Sequence, residues 1–266
     1  QAEHIASMLT NNAGFNCNAT RVIINHAGWE QRDQLLQQMR AVLTSVPTRN
    51  AYYPGSQERQ RSFVAAHPEA EQIGSTSEKQ LPWTLIPGVD AHNEDDICFT
   101  TEAFCGLFAE TTLSATSVAD YIDQAVAFAN DHLWGTLNAT ILVHPQSLKD
   151  PAVAALERAI ANLRYGAIGI NYWAGTAFAM AVLTWGAFPG HSINNIQSGT
   201  GVVHNTLMFS RPQKSVLHGP FRSTPTPPWF VTHGKTGLKV FPKLVKLEAA
   251  PSPWKVPAIL WSAIVG

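Results

Sequence analysis

Cys17 is the residue of this sequence best suited to nucleophilic chemistry. It sits in Asn-Asn-Ala-Gly-Phe-Asn-Cys-Asn-Ala-Thr-Arg, residues 11–21. A thiolate attacks carbonyl carbon readily, but only where the sulfur is both held and reachable. Gly14, three residues upstream, lets the backbone turn tightly and leaves room for a ligand. The bland alternative is that Cys17 is small core filler, since cysteine is among the most buried residue types. Glu102 and Phe104 stand two residues apart, a spacing that by itself assigns them no role. A loop glutamate and a core phenylalanine would have the same spacing. Asn171 closes a short apolar run, 167–170, and the carboxyl ends of strands in open α/β sheets gather ligands. Its amide could equally cap a turn. None of the ten histidines has a spacing that marks it as a partner of Cys17. Asp90, Glu94, Asp95 and Asp96 with His92 lack a spacing that fixes a coordination shell, so they read as a solvated loop and no metal site is expected.

The elements that must position these residues follow from periodicity. Ile5, Met8 and Leu9 fall at helical spacing before the cysteine segment, and Val22-Ile23-Ile24 reads as a strand after it. Leu35, Leu36, Met39, Val42 and Leu43 form one apolar stripe that ends at Pro47. A polar helix is expected over 57–66, stopping before Pro68. Residues 73–96 read as loop, with 81–86 as an edge strand, because proline is tolerated at edges. Val118, Tyr121, Ile122, Ala125, Phe128 and Ala129 predict a helix capped by Ser117. A β-rich run follows at 140–143. Val153, Leu156, Ile160 and Leu163 predict another helix, opened by Pro151 and closed near Gly166. Strand and helix in alternation define an α/β layered fold. Near the end, Lys235, Lys239, Lys243 and Lys246 lie opposite Leu238, Phe241 and Val245, with Pro242 expected to interrupt a single helix. Pro220 to Trp229 reads as an extended link.

Several segments, in order, resemble the aldehyde dehydrogenase superfamily. Asn12-Ala13-Gly14-Phe15-Asn16-Cys17 resembles its nucleophile motif Asn-x-Gly-Gln-x-Cys, with Phe15 in place of Gln. Glu102-Ala103-Phe104 resembles the start of Glu-x-Phe-Gly-Pro, with Cys105 and Gly106 replacing the last two residues. Residues 130–139 resemble an Ala-Asn…Tyr-Gly-Leu-x-Ala stretch, with Trp134 for Tyr. Asn171 matches the end of a Gly-Thr-Val-x-Val-Asn strand, and the glycine clusters 186–190 and 198–201 fall where the family has Pro-Phe-Gly-Gly…Ser-Gly-x-Gly. The resemblance implies a three-layer α/β/α catalytic domain over 1–218; the Pro/Trp-rich extension over 219–266 departs from the family pattern and is expected to pack on the domain or on a partner. It implies Cys17 as catalytic nucleophile forming a thiohemiacetal and then a thioester. It assigns Glu102 and Phe104 to NAD or NADP, and Phe15, Asn16 and Asn171 to the substrate pocket. It further implies an aldehyde substrate. The family's dinucleotide-binding half, its general-base Glu and the amide of its oxyanion hole have no counterpart in these residues. The chain alone is therefore expected to fold without turning over aldehyde. The alternatives from the residues are a cysteine-dependent hydrolase or thioesterase and a non-catalytic interaction domain that keeps the fold.

Composition bounds the remaining classes. The chain has 266 residues, 45% of them hydrophobic and 14% charged, enough for a sizeable core. A net charge of -1 gives no footprint for nucleic acid. Three cysteines without framework spacing point to a reducing, cytoplasmic setting. The chain begins with Gln and shows no signal peptide, so a fragment or processed product is expected. A homo-oligomer stays open. The apolar tail 256–265 with Trp254 and Trp261 could touch a membrane surface, although packing on protein is the commoner fate.

Overall fold

The structure, a computed structural model, describes residues 1–75, 77, 79–222 and 234–265, the last stretch with side chains from Gly237 onward. Helix α1 (Ala2–Thr10) buries Ile5, Met8 and Leu9, as their spacing predicts. Strand β1 (Val22–His26) follows the cysteine segment, and helix α2 (Arg32–Ser45) buries Leu36, Met39 and Leu43. Next come α3 (Ser56–Ala66), β2 (Glu71–Ile73), β3 (Trp83–Val89), α4 (Ile97–Thr100), β4 (Leu107–Leu113) and α5 (Val118–Asp131). The four strands form one sheet in the order β1-β4-β3-β2; β1, β4 and β3 run parallel and β2 is antiparallel to β3.

The period-two alternation of a strand sorts this sheet into layers. Trp83, Leu85 and Phe108 point to one face, where they meet Ile5, Leu9, Met39 and Leu43 of α1 and α2. Ile86, Leu107 and Ala109 point to the other, against Phe63 of α3, Cys98 and Phe99 of α4 and Phe128 of α5. Leu85, Ile86 and Phe108 are wholly removed from solvent, and each such burial contributes about 2 kcal/mol. The expected helix–sheet–helix sandwich is present in this half.

One strand departs from expectation. The segment 81–86, read as an edge strand because of Pro82, is part of β3 and lies inside the sheet between β4 and β2. Pro82 precedes the strand, and Pro87 falls where the register with β4 shifts between Ile86 and Val89. A bulge leaves a residue unpaired, so a missing N–H there costs no ladder bond.

The chain continues with β5 (Asn138–Ile141), α6 (Ala152–Asn162), β6 (Ala167–Ile170), α7 (Thr176–Ala179), β7 (Trp185–Gly186) and β8 (Val202–Val203), which form a separate two-stranded ribbon, and β9 (Ser215–His218). Strands β5, β6 and β9 pair in parallel in that order as a second sheet. Ala129 of α5 and Leu156 of α6 pack with Ile168 and Ile170. Strand β5 begins two residues before the predicted run, and Val118 and Val153, expected on apolar stripes, are 45% and 42% exposed.

The C-terminal helices α8 (Gly234–Ala249) and α9 (Val256–Val265) pack on each other, burying Val240 and Ile259. Helix α8 runs through Pro242, contrary to the expected interruption. Proline deletes one helical hydrogen bond, and the carbonyl left over belongs to Leu238, on an exposed turn where water can take its place. The predicted link 220–229 lies, from residue 223 on, outside the described residues. Among the described residues no helix is long and apolar enough to cross a membrane.

Candidate active site

The cysteine segment leaves α1 through an unusual backbone. Asn12, Ala13 and Gly14 take φ of 51°, 59° and 80° in succession. The left-handed region costs a non-glycine residue about 1 kcal/mol, so the segment must be held from outside. The Asn12 amide donates to the Phe15 carbonyl at 2.8 Å and to the Tyr52 hydroxyl at 2.9 Å. The Asn16 amide donates to Asn11 Oδ1 at 2.7 Å and its oxygen accepts from the Asn18 N–H at 2.9 Å. Gly14 lies directly on the peptide that joins Cys105 to Gly106: a Cβ there would stand 2.6 Å from Cys105 C and O and from Gly106 N.

Arg21 sews the two loops together. Its guanidinium donates to the Cys105 carbonyl at 2.5 Å, to the Gly14 carbonyl at 2.7 Å and to the Asn16 carbonyl at 3.3 Å. It also lies 5.9 Å from the centre of the Phe104 ring, a cation–π distance. Arg59 secures the second loop from the other side, donating to the Ala103 carbonyl at 3.0 Å. The sequence segments 12–17 and 102–106, far apart in the chain, thus share one electrostatic environment. Two further ties anchor the cysteine loop to the second sheet. Asn138 donates to the Cys17 carbonyl at 3.3 Å and to Asn18 Oδ1 at 3.1 Å, and the Trp173 indole donates to the Asn18 carbonyl at 2.8 Å.

Cys17 is exposed, whereas Cys98 and Cys105 are buried. The fixed charges that act on the Cys17 thiol are Glu102 and Arg21; no histidine is among them. Burial of the sulfur raises its pKa, a hydrogen bond from its own backbone lowers it, the Glu102 carboxylate raises it and Arg21 lowers it, and the net shift is upward. At neutral pH Cys17 therefore rests as the thiol. Burial likewise pushes the Glu102 carboxyl up, against the pull of Arg21 and Arg59. Burial pushes Cys105 to about 11 despite the same two cations. No hydrogen bond joins the Glu102 carboxylate to any described residue. It is a half-buried acceptor within the field of Arg21 and Arg59.

The other expected residues divide. Phe104, with φ of 42°, packs edge-on against Tyr53 at 4.7 Å and near Phe15 at 6.4 Å. Phe15 is buried, in contact with Tyr52 and Tyr53, so it forms the floor of the loop. The Asn16 amide is spent within the loop. Asn171 has φ of 56° and accepts the Val143 N–H at 2.7 Å, the turn-holding role open to it from sequence. The glycine clusters 186–190 and 198–201 converge on Thr136, which donates its N–H to Ser198 Oγ at 2.8 Å and accepts the Phe188 N–H at 3.0 Å. Arg21, Arg59, Tyr52 and Tyr53 were not singled out by sequence. The one available signal was an arginine directly before a strand and four residues after the cysteine.

Comparison with known proteins places the fold. No protein-family model matches the chain, and no curated protein matches it significantly. Solved structures do match. An NAD-dependent aldehyde dehydrogenase from Sinorhizobium meliloti is 20% identical with a TM-score of 0.54, over 70% of this chain and 36% of that one. Lactaldehyde dehydrogenase from Escherichia coli is 20% identical with a TM-score of 0.51, over 64% and 36%. An NADP-dependent glyceraldehyde-3-phosphate dehydrogenase from Bacillus halodurans, solved with NADP, is 16% identical with a TM-score of 0.56, over 76% and 39%. The chain has the α/β fold of part of an aldehyde dehydrogenase, and the matched region spans less than two fifths of the length of these enzymes.

Proposed function

We propose that these residues form the cysteine-bearing portion of an NAD(P)-dependent aldehyde dehydrogenase. The observation that carries this reading is the exposed Cys17 thiol on a loop clamped by Arg21 to the loop of Glu102. Cys17 would lose its proton and attack the aldehyde carbonyl, giving a thiohemiacetal bound through sulfur, and a thioester after oxidation. A nicotinamide cofactor, when bound, supplies the acceptor for the hydride. The residues fit such a group at one point: the Glu102 carboxylate, which makes no hydrogen bond among the described residues and acts on Cys17, can accept the two hydroxyls of a ribose. Phe104 would support the same ligand through the aromatic cluster rather than by a free ring face. Tyr52 and Tyr53, both exposed at that cluster, extend the wall on which an apolar aldehyde would rest. Asn16 and Asn171 would act on the substrate pocket only by holding its backbone. The three free thiols suit a reducing, cytoplasmic setting.

A whole enzyme needs a dinucleotide-binding portion and a base that activates water. Neither has a counterpart in these 266 residues, and the activity is therefore assigned to the residues acting with a further segment or partner chain. The tail over 219–266 is proposed to be an extension that packs on the domain or on a partner chain. The test is intact-mass analysis after exposure to an activated acyl ester. One acyl group per chain, mapped to Cys17, released slowly and absent in Cys17→Ser, is expected. Parallel assays with NAD or NADP and a panel of aldehydes should give no sustained turnover from the 266 residues alone. Acylation at Cys98 or Cys105 with Cys17 inert would overturn the assignment.

A further inference from the structure

The C-terminal end of α3 and the N-terminus of α4 bring together His67, Glu69, Asp96 and Cys98, away from Cys17 and independent of its chemistry. His67 Nδ1 lies 2.9 Å from Glu69 Oε1. Its Nε2 lies 3.0 Å from Asp96 Oδ1 and 3.5 Å from Cys98 Sγ. Nε2, the Asp96 oxygen and Sγ all fall within 4.8 Å of one another. A histidine that donates Nδ1–H to a carboxylate presents its Nε2 lone pair on the opposite side, the arrangement common to metal-bound imidazoles. That lone pair here faces a carboxylate oxygen and a sulfur, so three electron-rich atoms converge on one point.

We propose that His67 Nε2, Asp96 Oδ1 and Cys98 Sγ bind one divalent cation of the zinc class. Typical zinc–ligand bonds are about 2.0 Å to nitrogen, about 2.1 Å to oxygen and about 2.3 Å to sulfur, so tetrahedral edges come to about 3.4 Å for N···O and about 3.5 Å for N···S. The observed N···S separation of 3.5 Å matches its edge, and the N···O separation of 3.0 Å would have to open by about 0.4 Å to admit the ion. One sulfur, one nitrogen and one oxygen donor suit zinc rather than magnesium or calcium, which prefer oxygen alone. The fourth position would be left to water. Asp96 also accepts the Cys98 N–H at 2.8 Å as the cap of α4. The ion would thus pin the start of the helix that leads directly into the loop carrying Glu102 and Phe104.

The competing occupant of the same point is a proton, giving an imidazolium between two carboxylates. Chelator-stripped full-length chain titrated with Co²⁺ alone separates the two. The expected result is one Co²⁺ per chain, a thiolate-to-cobalt charge-transfer band, displacement by Zn²⁺ and a higher Tm with Zn²⁺. Cys98→Ala should abolish the band, and Cys17→Ser and Asp90→Asn should retain it. Should Cys98→Ala fail to fold, Asp96→Asn decides: asparagine keeps the helix cap but weakens Co²⁺ binding at least tenfold. No stoichiometric Co²⁺ uptake, a band that survives Cys98→Ala or disappears with Cys17→Ser, or unchanged affinity in Asp96→Asn would overturn the site.

Discussion

Two glutamates sit among arginines in this molecule and their surroundings are opposite. Glu110, in the middle of β4, is fully buried. It receives both arms of Arg32 at 2.7 Å, the Asn25 amide at 2.9 Å and the Gly88 N–H at 3.1 Å. Burial alone would raise its pKa, but these donors outweigh it and hold the carboxyl below its usual range. Glu102 lies beside Arg21 and Arg59, yet the hydrogen bonds these guanidiniums make go to backbone carbonyls, and Arg21 Nε and Arg59 Nη2 are buried without a partner among the described residues. Its pKa moves the other way, upward through burial. A carboxylate whose lone pairs are all used is a structural member. One kept half-buried with its acceptors unused is available for a ligand.

The largest expected effect comes from breaking the saturated pair. Glu110→Ala should destabilise the fold by about 3 kcal/mol, the low end for an orphaned buried ion pair, because the Arg32 side chain remains 25% exposed and can rehydrate. Urea denaturation measures this directly. A loss below about 1 kcal/mol, the worth of a surface pair, would show that the two glutamates differ less than their partners suggest.

Gly14→Ala comes next. The added methyl meets the Cys105–Gly106 peptide and forces an alanine into φ of 80°. A strained residue of this kind costs about 1–3 kcal/mol. The Cys17 loop should separate from the Glu102 loop, so the rate of Cys17 alkylation should change while Cys98 stays protected. An alanine variant as stable as the parent would mean that the loops can part without cost.

What the sequence makes readable is local. The Val22–Ile24 run, the α1 and α2 stripes and the turn at Gly14 all follow from spacing of a few residues, whereas β4, inside the first sheet, was not read from the sequence. The edge assignment for 81–86 went astray because a proline inside a sheet can be absorbed by a bulge, which depends on the neighbouring strand. Arg21 was invisible as a clamp, since its partners are main-chain carbonyls that carry no residue signature, one of them 84 positions away. Asp96 read as one more loop acid because His67 reaches it only through the packing of α3 on α4. Phe15 and Asn16 were placed in the pocket by analogy, although buried packing and short-range amide bonds commit both to the loop.

The pH dependence of stability should carry opposite signs for the two carboxylates. Glu110 has a folded pKa below its ordinary 4.5, so its contribution is present above that value and lost as pH falls through the folded one. Glu102 has a folded pKa above 4.5. Its protonated form is favoured in the folded state, so its contribution is complete below 4.5 and is lost as pH rises through the folded value. Comparing Glu110→Gln and Glu102→Gln with the parent by denaturation from acid to neutral pH should remove one slope in each case. The same slope missing from both variants would erase the distinction.

The smallest effect on stability, and the sharpest on the site, belongs to Glu102→Gln at neutral pH. The change keeps shape and removes one charge from a side chain that makes no internal hydrogen bond, so stability should stay within about 0.5 kcal/mol of the parent. The Cys17 thiol should respond. Glu102 raises its pKa while Arg21 lowers it, so removing the carboxylate leaves the cation unopposed and makes the thiolate easier to form. The pH profile of Cys17 alkylation should therefore shift to lower pH, and that of Cys105 should move little, because burial dominates there. A purely structural Glu102 would give the reverse pattern: lost stability and an unmoved Cys17 profile. A profile shifted to higher pH would mean that the loss of Glu102 has freed Arg21 to turn away from the sulfur, and the two loops would then be coupled through the arginine alone.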